Sequence, residues 1–345
     1  MMCLLALIFS AAAVCAPAGA DEGSFLGMNT PDKGDYKIKR LVSQLYDRSK
    51  RMDAQRDLVS YGTRVTPHVL PLLQDSSNDS ARVAALTIIA DVNDPTAEDA
   101  VAAMLRDPDA RVRKQAAKTL SVIGRKESSV EPLKRNLKDP NAEVRFNAIR
   151  ALAKIAPEDE TDLFIAVLGD YDPRVRLFAV KALGKIKSEK AVPYLSQMVN
   201  DPMPDVRMQL VRSLAQINCQ DCLQAMAWLV NDPDTGVRMA AADKVAFLDA
   251  KGVDQVLEEA ADNPDPRVAS RAITGLGRRK SAIALEVAKR HLDDEHMLVK
   301  MAAIDVVGKM GASGDKKLLK PLTAAESSRV RNKAREVLEE GPSQT

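Results

Sequence analysis

Asp107-Pro-Asp-Ala-Arg-Val112-Arg113 is repeated as Asp139-Pro-Asn-Ala-Glu-Val144-Arg145. It returns as Asp170-Tyr-Asp-Pro-Arg-Val175-Arg176, as Asp201-Pro-Met-Pro-Asp-Val206-Arg207 and as Asp232-Pro-Asp-Thr-Gly-Val237-Arg238. Decayed copies place Val268, Val299 and Val330 in the same register, and fainter ones are visible through Ala54, Leu58, Ala84 and Ile88. The step is about 31 residues, so the period belongs to a repeat architecture, in which each unit is one supersecondary element. Chance does not produce this register.

Counted from the valine, apolar residues fall at +4, +8 and +11: Val112, Ala116, Leu120 and Ile123, then Val144, Ala148, Leu152 and Ile155. That spacing lies along one face of a helix. The Asp-Pro step before it supplies a turn, a capping carboxylate and a proline where no amide donor is needed. A shorter helix precedes, as in Ala191-Val-Pro-Tyr-Leu195-Ser-Gln-Met198-Val199. Helices of about ten and fifteen residues are too short to persist alone in water. Each pair must bury its apolar stripe on its neighbours, which predicts a solenoid. Composition agrees: aromatics are 3% and apolar residues 46%, mostly Ala, Leu, Val, Ile and Met, so the side chains suit closely packed helices and not strands.

The run from Ala191 to Leu210 is similar to the HEAT-like repeats of bacterial proteins and phycobilin lyases, with Leu210 replacing the final alanine of their pattern. The resemblance implies an all-α, right-handed superhelix of about ten antiparallel helix pairs over residues 37–340. It also implies that Asp and Arg six apart form a ladder linking successive repeats. The rungs would be Asp107 with Arg113, Asp139 with Arg145, Asp170 with Arg176, Asp201 with Arg207 and Asp232 with Arg238. The pattern fails at Asn263 and Ala269 and weakens at Asp294 with Lys300 and at Ala325 with Arg331, predicting a looser joint after the seventh pair.

The first twenty residues are of another kind. Cys3 to Cys15 is nearly all apolar, and Ala18-Gly19-Ala20 places small residues at a signal-peptidase site, so residues 1–20 read as a cleaved secretory leader and the protein as periplasmic or secreted. No Lys or Arg precedes the apolar stretch. Ala12-Ala13-Val14-Cys15 is similar to a lipobox, which offers the alternative of a lipoprotein anchored at Cys15, with Val14 a poor fit. Residues 21–36 read as a tether and 341–345 as a disordered tail. No second apolar run reaches membrane-spanning length, so no transmembrane segment is expected in the mature chain.

Chemistry is sparse. Three histidines, His68, His291 and His296, form no His-Glu dipeptide, which removes the iron site that a resemblance to deoxyhypusine hydroxylase would require. His291, Glu295 and His296 straddle a turn and read as solvated residues more than as metal ligands. No phosphate loop or nucleophile triad stands out, and no cofactor is expected. Cys219-Gln-Asp-Cys222 holds the last two cysteines once the leader is removed. In an oxidising compartment a disulfide is the expected state, with a redox-active pair or a metal site as alternatives.

Binding residues are sought on the ridges. Position +6 reads Lys118, Arg150, Lys181 and Arg212, then Asp243, Thr274, Asp305 and Glu336, and +10 adds Lys154 and Lys185. With helices 8–10 Å apart, four to six cations would line roughly 30 Å of concave groove. A solvated helix face is the bland reading of the same row. Net charge is only +2 and no aromatic interleaves with the cations in this reading, so nucleic acid is a poor candidate. Trp228 takes an outward position held elsewhere by polar residues and is a second candidate contact. The expected function is a non-catalytic scaffold for a protein partner with an acidic segment. The alternatives are a lyase-like enzyme or accessory, which would carry a chromophore, and a thiol-disulfide factor, which would show a reactive Cys219. N-terminal sequencing should find mature protein beginning at Asp21, whereas an intact Met1 in a cytosolic fraction removes the export reading.

Overall fold

The computed structural model describes residues 33–125, 127–155 and 160–339. The leader, Cys15, most of the tether and the tail lie outside them. Among the described residues there are ten helix pairs and no strand, an all-α solenoid. The first pair is Lys33–Gln44 with Arg51–Val59. The second helices then follow as Asp79–Val92, Ala110–Ile123, Ala142–Ile155, Pro173–Ile186, Pro204–Ile217, Thr235–Val245, Pro266–Arg278, Met297–Met310 and Ser328–Glu339. The first helices are shorter and partly 3-10, as in Glu189–Ala191, Val192–Leu195 and Ser196–Asn200, where Pro193 sits in the opening turn. The first helix begins at Lys33, inside the tether expected to run to residue 36, because Ile38 is fully buried and anchors this segment to the array.

Consecutive second helices pack on one another more intimately than consecutive first helices do. The second helices therefore occupy the tighter, concave side of the array. Val112, Ala116, Leu120 and Ile123 are fully buried, as are Val175, Ala179 and Leu183. Small residues permit the approach. A Cβ on Gly184 would lie 2.7 Å from the Cα of Ser213 in the next pair. Ser213 in turn donates its hydroxyl to the Val180 carbonyl at 2.8 Å, and Thr119 does the same to Leu86 at 2.9 Å.

Several turns before a second helix use two acceptors with separate tasks. Asp107 Oδ1 accepts the amide of Asp109 at 2.9 Å and closes the turn; Asp109 Oδ1 accepts the amide of Arg111 at 2.7 Å and caps the helix. Asp170 and Asp172 divide the work identically. The capping carboxylate is thus two residues past the aspartate of the Asp-Pro step, which leaves the first aspartate free to receive an arginine.

That arginine comes from the preceding pair. Arg113 Nε meets Asp139 at 2.6 Å, Arg145 meets Asp170 at 2.8 Å, Arg176 meets Asp201 at 2.6 Å and Arg207 meets Asp232 at 2.6 Å. In each case Nη2 reaches the second carboxylate oxygen, making the pair bidentate. The aspartate six residues earlier contributes only its backbone carbonyl, which accepts Nη1, as Asp201 does from Arg207 at 2.6 Å. The six-apart rungs therefore correspond to side-chain pairs between consecutive repeats, 25 or 26 residues apart. One rung escaped the sequence reading: Arg82, buried in the second pair, meets Asp107 at 2.8 Å.

The joint after the seventh pair is not open. Arg238 passes over Asn263 and takes Asp265 at 2.8 Å, while Asn263 donates to Asn231 at 3.1 Å. Arg279, at the position where earlier pairs carry Ile, donates to the carbonyls of Ala246 and Leu248 and pairs with Asp254 at 3.0 Å. It satisfies the end of a second helix that stops early, at Val245. Asp294 accepts no arginine; it lies 3.5 Å from His291 and 3.3 Å from His296.

Two outcomes follow from the ladder. Arg207→Ala should destabilise the array by about 3 kcal/mol, because it strands the buried Asp232 carboxylate without a counter-charge; a denaturation midpoint equal to wild type would contradict the pairing. Hydrogen bonds from Arg267, and a further one from Arg238, hold the Asp265 carboxyl well below the usual carboxylate range against the opposing effect of burial. Its contribution is present above about pH 4 and fades as pH falls toward the depressed folded value. Asp265→Asn should therefore lower stability at pH 7 and approach wild type at lower pH.

Candidate functional site

Position +6 of each second helix projects from the concave side, away from the buried stripe. Lys118, Lys181 and Arg212 are exposed there, as is Lys185 one turn further on. Among the described residues, Lys118, Lys185 and Arg212 make no side-chain hydrogen bond or ion pair, and Lys181 has only an aromatic ring beneath it. Two expected members are more constrained. Arg150 donates to the Ser121 hydroxyl at 2.8 Å, and Lys154 donates to the Ser121 and Val122 carbonyls at the end of the preceding second helix. Both still add positive charge to the face, but they also tie the third pair to the fourth.

Aromatics do accompany the cations, contrary to the expectation. Arg150 lies 5.8 Å from the Phe146 ring centre and Lys181 lies 5.5 Å from that of Phe178. The rings pack edge to face at 5.6 Å, and Arg174 covers Phe146 at 4.7 Å. Both rings are half-buried and already engaged, so they serve to hold cations in place. The sequence hid this because the two phenylalanines occupy positions +2 and +3, one turn from the row being read.

The change of sign along the row is largely cancelled. Asp243 pairs with Arg271 of the next pair at 2.9 Å, and Asp305 pairs with Lys333 at 2.9 Å. Meanwhile Lys244, Arg278 and Lys309 are exposed and make no ion pair among the described residues. The positive face therefore continues beyond Arg212 instead of giving way to an acidic half. Position +6 taken alone omitted the +3 cations across the interface, Arg271 and Lys333, which were the available signal.

Trp228 is 68% exposed on Cys222–Leu229, a first helix, and so lies on the convex side, apart from the cations. Cys219 and Cys222 lie in the turn entering that helix with their Cα atoms 5.2 Å apart, a separation that a disulfide spans. Cys222 is fully buried in the position Ala191 holds one repeat earlier. The surrounding turn is bound to the next repeat: Asn218 accepts the Asp249 amide at 2.8 Å, and the Gln220 carboxamide bonds both the amide and the carbonyl of Lys251. His291, Glu295 and His296 cluster around a turn aspartate, and no group of metal-ligating side chains able to hold an ion occurs among the described residues. None of the described helices is long and apolar enough to cross a membrane.

The repeat geometry has a family counterpart. HEAT repeats match residues 66–142, 130–202, 195–268 and 253–339, most of the chain. The chain belongs to the HEAT-repeat family. No curated protein matches it. Among solved structures, the karyopherin Kap121p bound to the extreme C-terminus of the protein phosphatase Cdc14p is similar, with 12% identity and a TM-score of 0.65. That match covers 89% of this chain and 42% of the karyopherin chain. An engineered protein is similar at 19% identity and a TM-score of 0.47, over 88% of this chain and 98% of its own. The complex of CpcE and CpcF of phycocyanin lyase from Nostoc sp. PCC7120 gives 19% identity and a TM-score of 0.39, over 70% and 93%. The karyopherin likeness shows a shared HEAT solenoid fold.

Thiol labelling of unfolded, unreduced protein should find neither Cys219 nor Cys222 free. Two titratable thiols would place the native protein in the reduced state.

Proposed function

We propose that this HEAT solenoid is an exported, non-catalytic scaffold that holds an acidic segment of a protein partner along its concave face. The observation that carries the reading is the imbalance of pairing. The ladder arginines Arg113 to Arg238 have carboxylate partners and the Asp243 and Asp305 carboxylates have cationic ones, yet among the described residues Lys118, Lys181, Lys185 and Arg212 are left without acidic partners on one ridge. A protein that neutralises buried charges so fully but leaves a row of cations open supports docking of an anion there. Export rests on the leader, and the protein nature of the partner on the family, whose solenoids mediate protein interactions. Kap121p, which shares the fold, was solved holding the terminal segment of a phosphatase.

Exposed charge pairs contribute only about 0–1 kcal/mol each. Affinity must therefore come from several cations acting together, and salt should weaken it. Anisotropy with a fluorescein-labelled deca-glutamate measures this. The triple variant Lys118→Glu, Lys181→Glu, Arg212→Glu should bind at least tenfold more weakly than wild type at low ionic strength, with helical content and melting unchanged, since none of the three residues bonds a neighbouring repeat. Equal affinity would make the ridge a solvated face and move attention to Trp228.

A further inference from the structure

Beyond Arg212 the concave face changes character. Position +10 carries Val122 in the third pair, then Lys154, Lys185, Gln216, Arg278 and Lys309 in others, but the aromatic Phe247 in the seventh. Phe247 is 63% exposed. It is placed there by the helix that stops at Val245: Phe247 falls in the closing turn, its amide bonded to the Lys244 carbonyl at 3.0 Å. Arg279 holds that turn by bonding the carbonyls on either side of it, Ala246 and Leu248, so the projection of the ring is built into the joint. A cleft of about 460 Å³ opens beside it, with Met208 and Ala240 among its apolar lining and Arg212, Lys244 and Arg278 on its walls. The one carboxylate lining it, Asp243, is paired with Arg271.

We propose that this cleft is an anchor pocket, in which Phe247 and Met208 receive an aromatic or long aliphatic side chain flanked by carboxylates on an extended acidic peptide. The inference rests on the scaffold reading above and adds a specificity element to it. Charge complementarity selects the occupant: three cations without carboxylate partners among the described residues surround an apolar surface, so a neutral apolar ligand would leave them unused. A purely acidic ligand would leave Phe247 in water. Phe247 and Met208 present apolar surface side by side in one cleft, and covering such surface favours a partner that brings an apolar side chain. The cleft is in the size range of sites that bury a drug-sized group and is ample for one side chain with its neighbouring residues. Its single place within the basic ridge gives the peptide a fixed register, which a row of similar cations alone cannot supply.

Two fluorescein-labelled decapeptides test this: deca-glutamate, and the same peptide with a central phenylalanine. Wild type should prefer the phenylalanine peptide by about fivefold, the scale of one aromatic contact. The ratio should survive 0.5 M salt while both affinities fall, because apolar contact is not screened. Phe247→Ser and, separately, Met208→Ser should reduce the ratio to within twofold and leave deca-glutamate binding unchanged. Equal binding of the two peptides by wild type, or a ratio that persists in both variants, overturns the pocket while leaving the basic ridge intact. Binding of the phenylalanine peptide that depends on Phe247, with no measurable binding of deca-glutamate, overturns the ridge and keeps the pocket. Failure of both peptides overturns both.

Discussion

A guanidinium taken out of water needs partners on every edge, and the repeat is arranged around that requirement. The Arg207 side chain is 8% exposed, and it gives Nε and Nη2 to the next pair's Asp232 and Nη1 to the carbonyl of its own pair's Asp201. Such a bidentate, charge-assisted pair is geometrically demanding. It fixes the distance and the rotation between consecutive repeats together. The apolar stripe would tolerate some sliding of one second helix along the next, whereas the ladder tolerates little. Breaking one side leaves a charge buried, so the pairs act more as register marks than as sources of net stability.

The close side of the array follows from the same constraint. With second helices held at this spacing, only small residues fit at some contacts, as Gly184 does against Ser213. Buried hydroxyls at Ser213 and Thr119 are satisfied by carbonyls of the preceding helix, so the approach strands neither of them. A row of side chains at +6 and +10 is then presented on the concave face at regular intervals, and its chemistry can vary without disturbing the core. This separation of frame from surface allows one fold to host unrelated binders.

The seventh and eighth pairs show how a local departure is absorbed. An asparagine at the ladder position and a shortened second helix would each loosen the joint. Asp265 and Arg279 take over the lost contacts from neighbouring positions. The repair keeps the array continuous but leaves a different surface, with a projecting Phe247 and a cleft beside it. Irregularity in a repeat protein is therefore informative about function: regular copies report packing, and the exception reports what one face has been shaped to do.

Much of the frame was legible without coordinates. The 31-residue register, the alternation of short and long helices, the buried valine, alanine and leucine set and the recurrence of Asp and Arg six residues apart are properties of local periodicity, which a linear chain displays directly. The partner of each charged side chain was not legible. Arg113 faces two aspartates, Asp107 six residues before it and Asp139 twenty-six after. Nothing in the spacing says which offers its carboxylate and which its carbonyl. The same blindness hid Arg271 behind Asp243, Lys333 behind Asp305 and Phe146 beneath Arg150. The helix face on which a residue sits follows from a period of 3.6 along one segment. What it meets there depends on the offset between two helices about thirty residues apart, and that offset is decided only when the array packs.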